Sequence, residues 1–316
     1  METMQGEAQP SGISVLLTIA GFWRRLGALI VDLLLLGVVG WLIGLVLFDT
    51  LARMGDWARI IGFVIALAYF GLLDSRLCAG RTLGNRLFDL RVINASGNSL
   101  SIPRSLVRYT VLSTPFFLNN LSVSKPSLVV SLVLSVVVLG GILSITYLYL
   151  FNRRTRQSLH DLAVGSYAVR GESEGSTVAF PVLWRGHLVV VGVIFALCLA
   201  GALAAASFVK STTFAPLVAA QQAMNALPNV QTSGVVDGVS YFNGARSTYL
   251  SAQLRLATPQ IYDEAFARQV AQLIFKSNPD AASRSVITVN LVYGFDLGIA
   301  RGWKSHLYRF TPMELM

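Results

Sequence analysis

The chain has 316 residues, of which 54% are hydrophobic and only 13% are charged, and its mean hydropathy is +0.61. Soluble domains carry roughly 25% charged residues, so the composition excludes an ordinary soluble protein, a coiled coil, a disordered tail and a disulfide-stapled secreted module. The net charge of +9 comes from basic residues that flank apolar runs, a pattern typical of membrane topology and not of nucleic-acid binding. We therefore expect an integral membrane protein.

Four apolar runs predict membrane-spanning helices, because a hydrocarbon core requires about 20 helical residues. They cover residues 26–48, 58–73, 127–150 and 187–209. The first run follows Arg24 and Arg25 without a small-residue cleavage site, which predicts an anchor that is not cleaved.

Residues 105–121 form an ambiguous fifth segment, which is short and contains Arg108 and Pro115. If this segment crosses and the N-terminus is cytoplasmic, the cytoplasmic side carries two basic residues before the first span, five between 74 and 104 and five between 151 and 186. Outside and near the membrane lie only Arg53, Lys125 and Lys210. Because cytoplasmic loops are rich in Lys and Arg, the sequence predicts about five spans with the C-terminus outside.

Residues 210–316 predict a compact extracytoplasmic α+β domain, since the long apolar runs end and charges of both signs mix. Its predicted order is α-β-β-α-β-β, and at about 105 residues it can bury its own core. The signals are a helix over 214–227, an Asn243-Gly244 hairpin turn, alternating strands over 250–256 and 287–293, and a strand over 303–310. A second helix is expected to start at Thr258-Pro259, and its apolar side consists of Ala265, Phe266, Val270, Leu273 and Ile274.

Asp32 is the most informative single residue, because it lies seven positions into the first apolar helix. A lone carboxylate there costs a few kcal/mol, so it must face protein or water. Arg25 shares its helical face but points toward the cytoplasm, whereas Arg108 enters from the same side at comparable depth. We expect an Asp32–Arg108 contact, which serves either as a proton or cation site or as a buried ion pair that fixes helix packing.

Three blocks resemble the RDD family of membrane proteins, named for one arginine and two aspartates. They are GFWRRLGALIVDLLLL (21–36), GRTLGNRLFDLRVINASGNSLSIPRSLVRY (80–109) and SLHDLAVGSYAV (158–169). Arg25, Asp32 and Asp161 match the family's named residues, and Asn85 stands where the family usually has lysine. The resemblance covers about residues 12–170. It implies a protein of prokaryotic inner membranes, with cation/proton antiport attributed to some members.

Two further groups of residues have candidate roles. We expect Arg81, Arg86 and His160 at the cytoplasmic face, where clusters of basic residues attract anionic lipid headgroups. Small residues spaced four apart allow another helix to approach closely, so we expect helix packing or self-association at two sets of positions. These sets are Gly40 and Gly44 in the first span, and Gly192, Ala196, Ala200 and Ala204 in the last.

Two functions from different classes follow. The first is a transporter that exchanges a monovalent cation for a proton at Asp32. The second is a non-catalytic anchor or assembly protein that displays its outer domain to an envelope partner. We expect no enzymatic activity, cofactor, metal or nucleic-acid partner, because the histidines are dispersed and no nucleophile–base pair is visible. The predicted division is a cytoplasmic segment (1–25), an RDD-like membrane domain (26–170), a linker with the last span (171–209) and the outer domain (210–316).

Overall fold

The structure is a computed structural model that describes residues 18–119, 121, 127–171, 180–209, 214–242 and 245–316. Lys125, Lys210 and the Asn243-Gly244 turn, which entered the sequence predictions, lie outside the described residues.

The N-terminal two thirds of the chain are mainly helical. The helices are α1 (Phe22–Met54), α2 (Ala58–Leu73), α3 (Leu83–Leu87), α4 (Ile102–Leu118), α5 (Leu128–Ser135), α6 (Gly141–Phe151), α7 (Leu159–Val164) and α8 (Gly186–Val209). A π-helical turn, Val136–Gly140, joins α5 to α6 without a break. After α1, Gly55 adopts a positive φ of 61°, and α2 returns along α1, so that Leu36, Ala66 and Phe70 share one buried cluster.

Three described stretches are long and apolar enough to cross a membrane, namely Phe22–Leu73, Leu128–Phe151 and Gly186–Val209. This confirms apolar membrane helices, and the first stretch contains both α1 and α2. The segment predicted over 105–121 forms α4, which has only 17 residues and does not reach that length. The count of five spans and the placement of the C-terminus outside remain predictions.

The helical region also contains a small antiparallel sheet, so the prediction of an all-α region was wrong. Its strands are β1 (Thr18–Ile19), β2 (Leu90–Asn94) and β3 (Ser166–Arg170), in the order β1-β3-β2. The longer strands have only five residues each, too few for an alternating pattern to stand out between apolar helices. The sheet joins three loops at the N-terminal end of α1.

The C-terminal domain has the predicted α-β-β-α-β-β order. Its elements are α9 (Ala215–Asn225), β4 (Val230–Phe242), β5 (Ala245–Leu256), α10 (Glu264–Ser277), β6 (Val286–Asp296) and β7 (Arg301–Phe310). The strand order is β4-β5-β6-β7, and β5 pairs parallel to β6 through the α10 crossover. Leu250, Leu254, Ile287 and Leu291 are fully buried, as their alternation predicts.

The helix expected from Thr258-Pro259 begins later, at Glu264. The Asp263 carboxylate accepts a hydrogen bond from the Phe266 amide at 2.9 Å and so caps the helix. Ala265 is exposed and does not lie on the apolar face, which Ala267, Val270 and Ile274 form.

The tip of the β6–β7 hairpin, residues 295–300, inserts between α1, α2 and α4, and we call it the inserted hairpin. Its Ile299 joins the buried cluster around Leu36, Phe70 and Tyr109. A Cβ on Gly40 would lie 2.8 Å from Ala300 Cβ, and one on Gly44 would lie 2.9 Å from Phe295 Cε1. The expectation that Gly40 and Gly44 pack against another span was therefore wrong, because the C-terminal domain covers both glycines.

The second set of small residues has a different environment. Gly192, Ala196, Ala200 and Ala204 lie on exposed parts of α8, and a Cβ on Gly192 would meet nothing within 4 Å. Packing of another helix at these positions remains a prediction.

Candidate functional site

Asp161 lies at the centre of a buried group of charges at the N-terminal end of α1. Arg25 Nη2 donates to its Oδ2 at 2.5 Å, and Arg108 Nη2 lies 2.9 Å from its Oδ1. The Ser158 amide at 3.2 Å and the Ser166 hydroxyl at 3.2 Å donate to the same carboxylate. A capping box with Ser158 at the start of α7 fixes this geometry, so Asp161 joins α1, α4 and α7.

Arg108 extends the group to a second carboxylate. Its Nη1 lies 2.7 Å from Asp74 Oδ2, and Asn85 Nδ2 donates to Asp74 Oδ1 at 3.1 Å. All four charged residues of this charge network, which we define as Arg25, Asp74, Arg108 and Asp161, are less than 9% exposed. Two cations thus face two carboxylates, which satisfies the rule that buried charges are paired.

The two carboxylates have opposite pKa shifts. Burial alone would raise the pKa of Asp161, but the Arg25 guanidinium, with His160 and Arg108, holds it well below its usual range. Burial raises the pKa of Asp74 to about 6, because the attraction of Arg108 is smaller and Asp32 and Asp161 repel its negative form. Asp161 is therefore a permanent anion, whereas Asp74 titrates close to neutral pH.

Asp32 belongs to a separate hydrogen-bond group, in which its partners are hydroxyl and amide groups. Its carboxylate accepts from the Tyr69 hydroxyl at 2.6 Å, the Thr82 hydroxyl at 2.6 Å and the Gly84 amide at 2.7 Å. Within the described residues Arg108 pairs with Asp74 and Asp161, so the predicted Asp32–Arg108 contact was wrong. The prediction failed because Arg25 and Arg108 both pair with Asp161 of α7. The position of α7 depends on contacts between residues that are far apart in the sequence.

The block around α3 positions the donors to Asp32. Thr82 is the N-cap of α3 and also accepts from the Asn85 amide at 3.0 Å. The Gly84 amide, in the first turn of α3, therefore points at the carboxylate, a favourable arrangement for an anion. A Cβ on Gly84 would lie 2.9 Å from Asp32 Cγ, so only glycine allows this approach.

His160 does not contact lipid, which corrects the prediction that grouped it with Arg81 and Arg86. The side chain is fully buried, and its Nε2 lies 3.5 Å from Asp161 Oδ1. Burial lowers the pKa of His160 to about 3, and the nearby Arg108 and Arg25 also disfavour its charged form. The neutral ring therefore packs inside the network, whereas Arg86 is exposed and Arg81 is partly exposed.

A cavity of about 40 Å³ lies between the two groups of polar side chains. It has room for water-sized molecules only. Its polar lining comes from Arg25, Asp32, Asp74, Asn85, Arg108 and His160. Among the described residues no three His, Cys, Asp or Glu side chains are grouped as ligands of a metal ion.

Sequence reasoning missed Asp74 and the donors to Asp32. Asp74 follows directly on the apolar run of α2, and a carboxylate at that position was an available signal. Tyr69 gave no usable signal, since its hydroxyl meets Asp32 only after α2 folds back along α1.

Residues 19–165 of the chain match the RDD family. This helical region is an RDD-family region. The match confirms the resemblance seen in the three sequence blocks, and the chain is accordingly a membrane protein with apolar helices. In the RDD region, Arg25 and Asp161 form a direct ion pair, while Asp32 accepts hydrogen bonds from Thr82 and Gly84 of the second sequence block (80–109).

The C-terminal domain lies outside the part of the chain that matches the RDD family. No curated protein and no solved structure matches the chain.

Proposed function

We propose that this protein is a non-catalytic membrane anchor that holds its C-terminal α+β domain in a fixed position on the RDD region. The inserted hairpin carries this proposal. It fills grooves at Gly40, Gly44 and Gly62 of α1 and α2, so the domain is built into the helices and not tethered to them by a linker alone.

Polar contacts around the hairpin fix the same orientation. Arg59 Nη2 lies 2.6 Å from Asp296 Oδ2, and Arg59 Nη1 donates to the Phe117 carbonyl at 3.0 Å. Arg255 pairs with Asp56 at 2.7 Å. Because these groups are mostly buried, they restrict the domain more than exposed ion pairs would.

The charge network supports an anchoring role at the opposite end of α1. Its ion pairs connect α1, α2, α4 and α7, and Asp161 accepts four different donors. The cavity beside it holds little more than water. Such an arrangement stabilises one packing of the helices, and breaking one member leaves a buried charge without its partner.

Cysteine labelling tests the fixed position of the domain. In the Cys78→Ser/Cys198→Ser background, we expect Leu297→Cys, at a fully buried position, to resist a membrane-impermeant maleimide until the protein is denatured. Met313→Cys lies on the same domain at a position that is 84% exposed, and serves as the matched control that reacts at once. Equal labelling of both cysteines in the folded protein would contradict the anchor proposal.

Cation/proton exchange is the second candidate function, and the observation that favours it is the position of Asp74 beside Asp32 on one cavity. Its pKa of about 6 permits protonation and deprotonation near neutral pH, and it lines the same cavity as Asp32. The exchange would require a cation to replace the proton in that cavity.

Proton flux in proteoliposomes separates the two candidates. The proton gradient is followed while sodium, potassium or lithium is added to wild type, Asp32→Asn and Asp74→Asn. The anchor proposal predicts that no cation collapses the gradient in folded wild-type protein. A cation-dependent collapse that Asp74→Asn or Asp32→Asn abolishes would establish exchange and overturn the proposal of a non-transporting anchor.

We further propose that the protein lies in a prokaryotic inner membrane, with the N-terminus cytoplasmic and the C-terminal domain outside. The basic residues at the start of α1 (Arg24 and Arg25), between α2 and α4 and after α6 support this orientation. The displayed domain would then meet an envelope protein or a second copy of this chain.

A further inference from the structure

The inserted hairpin reaches the middle of the apolar part of α1. A Cβ on Gly37 would lie 3.7 Å from the Ile299 carbonyl oxygen, and Gly37 is the central residue of the apolar run 26–48. From Gly37 to Phe48, the last residue of that run, the helix rises by about 16 Å. A hydrocarbon core is about 30 Å thick, so Ile299 lies close to the middle of a bilayer that α1 spans.

The strand that follows the hairpin carries interfacial residues at the matching distance. Arg301, Trp303 and Lys304 are exposed at the start of β7. An extended chain covers about 13 Å from Ile299 to Trp303, and Lys304 Nζ lies 4.8 Å from the centroid of the Phe48 ring. Tryptophan is enriched where hydrocarbon meets water, and lysine extends its ammonium group toward water. β7 therefore leaves the apolar layer at the level where the apolar run of α1 ends.

The exposed side of the hairpin lies among apolar side chains that face lipid. Gly298 is exposed, and a Cβ on it would lie 2.5 Å from Phe117 Cε1 of α4. The adjacent Phe116 is 52% exposed, and Val38 and Trp41 of α1 are 57% and 56% exposed. In a membrane, acyl chains cover such side chains, so the same chains are available to Gly298.

Polar groups in the turn of the hairpin have partners inside the protein. The Leu297 amide donates to the Ala300 carbonyl at 2.9 Å, and the Gly298 amide donates to Asp296 Oδ1 at 2.7 Å. The Asp296 carboxylate is in turn paired with Arg59. Because hydrocarbon offers no hydrogen bonds, a non-helical segment lies at membrane depth only when the protein satisfies its polar groups. The two turn amides of the hairpin meet this condition.

We propose that the inserted hairpin is a re-entrant membrane segment, and that its exposed side at Gly298 contacts the acyl chains of the surrounding lipid. The anchoring function needs only contact between the C-terminal domain and the helices. The proposal goes beyond that function, because it assigns hydrocarbon as a second partner of the domain. It does not depend on which side of the membrane holds the rest of the domain.

Photolabelling of the unmodified full-length protein in phosphatidylcholine vesicles tests this contact. One probe phospholipid carries a diazirine within an acyl chain, and a second carries it on the headgroup. Mass spectrometry after proteolysis locates the labelled residues. No substitution is made at Gly298, because its positive φ of 78° disfavours other residues.

The acyl-chain probe should label residues 297–300 at a yield within about threefold of that at Leu197, because both lie at the depth of the hydrocarbon core. Leu197 is the positive control, since it is 67% exposed in the middle of α8. Met313, which is 84% exposed on the C-terminal domain, is the matched negative control and should not be labelled by this probe.

Two results would overturn the proposal. In the first, the acyl-chain probe labels Leu197 but not residues 297–300. In the second, the headgroup probe labels residues 297–300 more strongly than the acyl-chain probe does, which places the hairpin at the aqueous surface. Either result, together with a Leu297→Cys variant that resists maleimide, would keep the anchor and remove the re-entrant segment.

Fluorescence quenching by brominated lipids measures the depth of β7 independently. Trp23→Phe/Trp41→Phe/Trp57→Phe/Trp184→Phe retains only Trp303, and we expect stronger quenching by bromine near the headgroup end of the acyl chains than by bromine near the methyl end. Trp23→Phe/Trp57→Phe/Trp184→Phe/Trp303→Phe retains only Trp41, close to the middle of α1, and should show the opposite order. An absence of quenching of Trp303 by both lipids would contradict the proposed depth.

Discussion

Among the residues that the structure describes, Asp161 is a point where four buried hydrogen-bond donors converge. We predict that Asp161→Asn lowers the free energy of unfolding by about 3–5 kcal/mol, because Arg25 and Arg108 then lose a shared counter-charge inside the protein. Thermal or denaturant unfolding in detergent measures the change. Asp89→Asn is the control, since Asp89 pairs with Arg170 at 3.5 Å and both side chains are about half exposed. Asp89→Asn should lower the free energy of unfolding by under about 1 kcal/mol. Equal losses in Asp161→Asn and Asp89→Asn would contradict the central position of Asp161.

Asp74 gives the stability of the protein a defined dependence on pH. Its pKa rises from an ordinary value of 3.8 to about 6 on folding. Its contribution to stability is therefore complete below about pH 4 and is lost as the pH rises through 6. His160 acts in the opposite sense, because its pKa falls from 6.5 to about 3, so its contribution is present above pH 6.5 and is lost at lower pH.

Comparison of wild type with Asp74→Asn separates the effect of the Asp74 carboxyl group on stability from the effect of His160, which is present in both proteins. Between pH 7 and pH 5, wild type should gain stability relative to Asp74→Asn by on the order of 1 kcal/mol, as measured by unfolding at each pH. If the free energy of unfolding changed with pH in the same way for wild type and Asp74→Asn, a raised pKa at Asp74 would be contradicted.

Asn85 offers an independent check on the same group. The Asn85 amide lies 3.1 Å from Asp74 Oδ1, at the position where the RDD family usually has lysine. In Asn85→Lys an ammonium group would stabilise the charged carboxylate, so the pKa of Asp74 should fall. We predict that Asn85→Lys does not gain stability relative to Asp74→Asn between pH 7 and pH 5, although Asn85→Lys still contains Asp74. An unchanged pH dependence in this variant would show that position 85 does not set the charge of Asp74.

The sequence could reveal which residues matter but not how they pair. Arg25, Asp32 and Arg108 were recognisable from their types and positions, and Asp161 was recognisable from the resemblance to the RDD family. The pairing depends on α7 and α3, which are six- and five-residue helices respectively and whose placement follows from tertiary packing. Depth along a span therefore suggested Arg108 as the partner of Asp32, whereas nearby hydroxyl and amide donors satisfy that carboxylate in the folded chain.

At the scale of elements, the inserted hairpin makes glycines in α1 and α2 sensitive to small substitutions. A Cβ on Gly62 would lie 3.1 Å from Leu297 Cβ and closer still to the Leu297 carbonyl. We predict that Gly62→Ala destabilises the protein by roughly 1–3 kcal/mol through overpacking, measured as a lower Tm in detergent.

Gly192→Ala provides the matched control in another apolar helix, since a Cβ there meets nothing within 4 Å. This variant should be neutral or stabilising by up to about 1 kcal/mol, because alanine favours a helix. Equal destabilisation by the two substitutions would contradict a specific contact at Gly62.

Element prediction succeeded where periodicity was strong and failed where contacts were long-range. The strands with buried Leu250, Leu254, Ile287 and Leu291 followed directly from alternation. The G-x-x-x-G pattern of Gly40 and Gly44 correctly indicated a close approach to α1. It could not identify the approaching element, because a groove between small residues accepts a hairpin as readily as a helix.

For the whole molecule, the orientation in the membrane is the prediction with the widest consequences. We expect alkaline phosphatase fused after Met316 to be active, because that enzyme requires an extracytoplasmic environment, and the same reporter fused after Arg170 to be inactive. A cytoplasmic fluorescent reporter at the same two positions should show the reverse. Activity of phosphatase after Arg170 would contradict the five-span topology and the positive-inside argument behind it.

The inserted hairpin also imposes an order on biosynthesis. Residues 295–300 are synthesised after every apolar helix of the chain, yet they fill the grooves at Gly40, Gly44 and Gly62. The nascent helices therefore leave the ribosome with these grooves unfilled, and their packing is complete only when residues 295–300 have been synthesised and folded against them. A ribosome that stops early releases a product with open grooves in α1 and α2, which distinguishes an unfinished chain from a finished one.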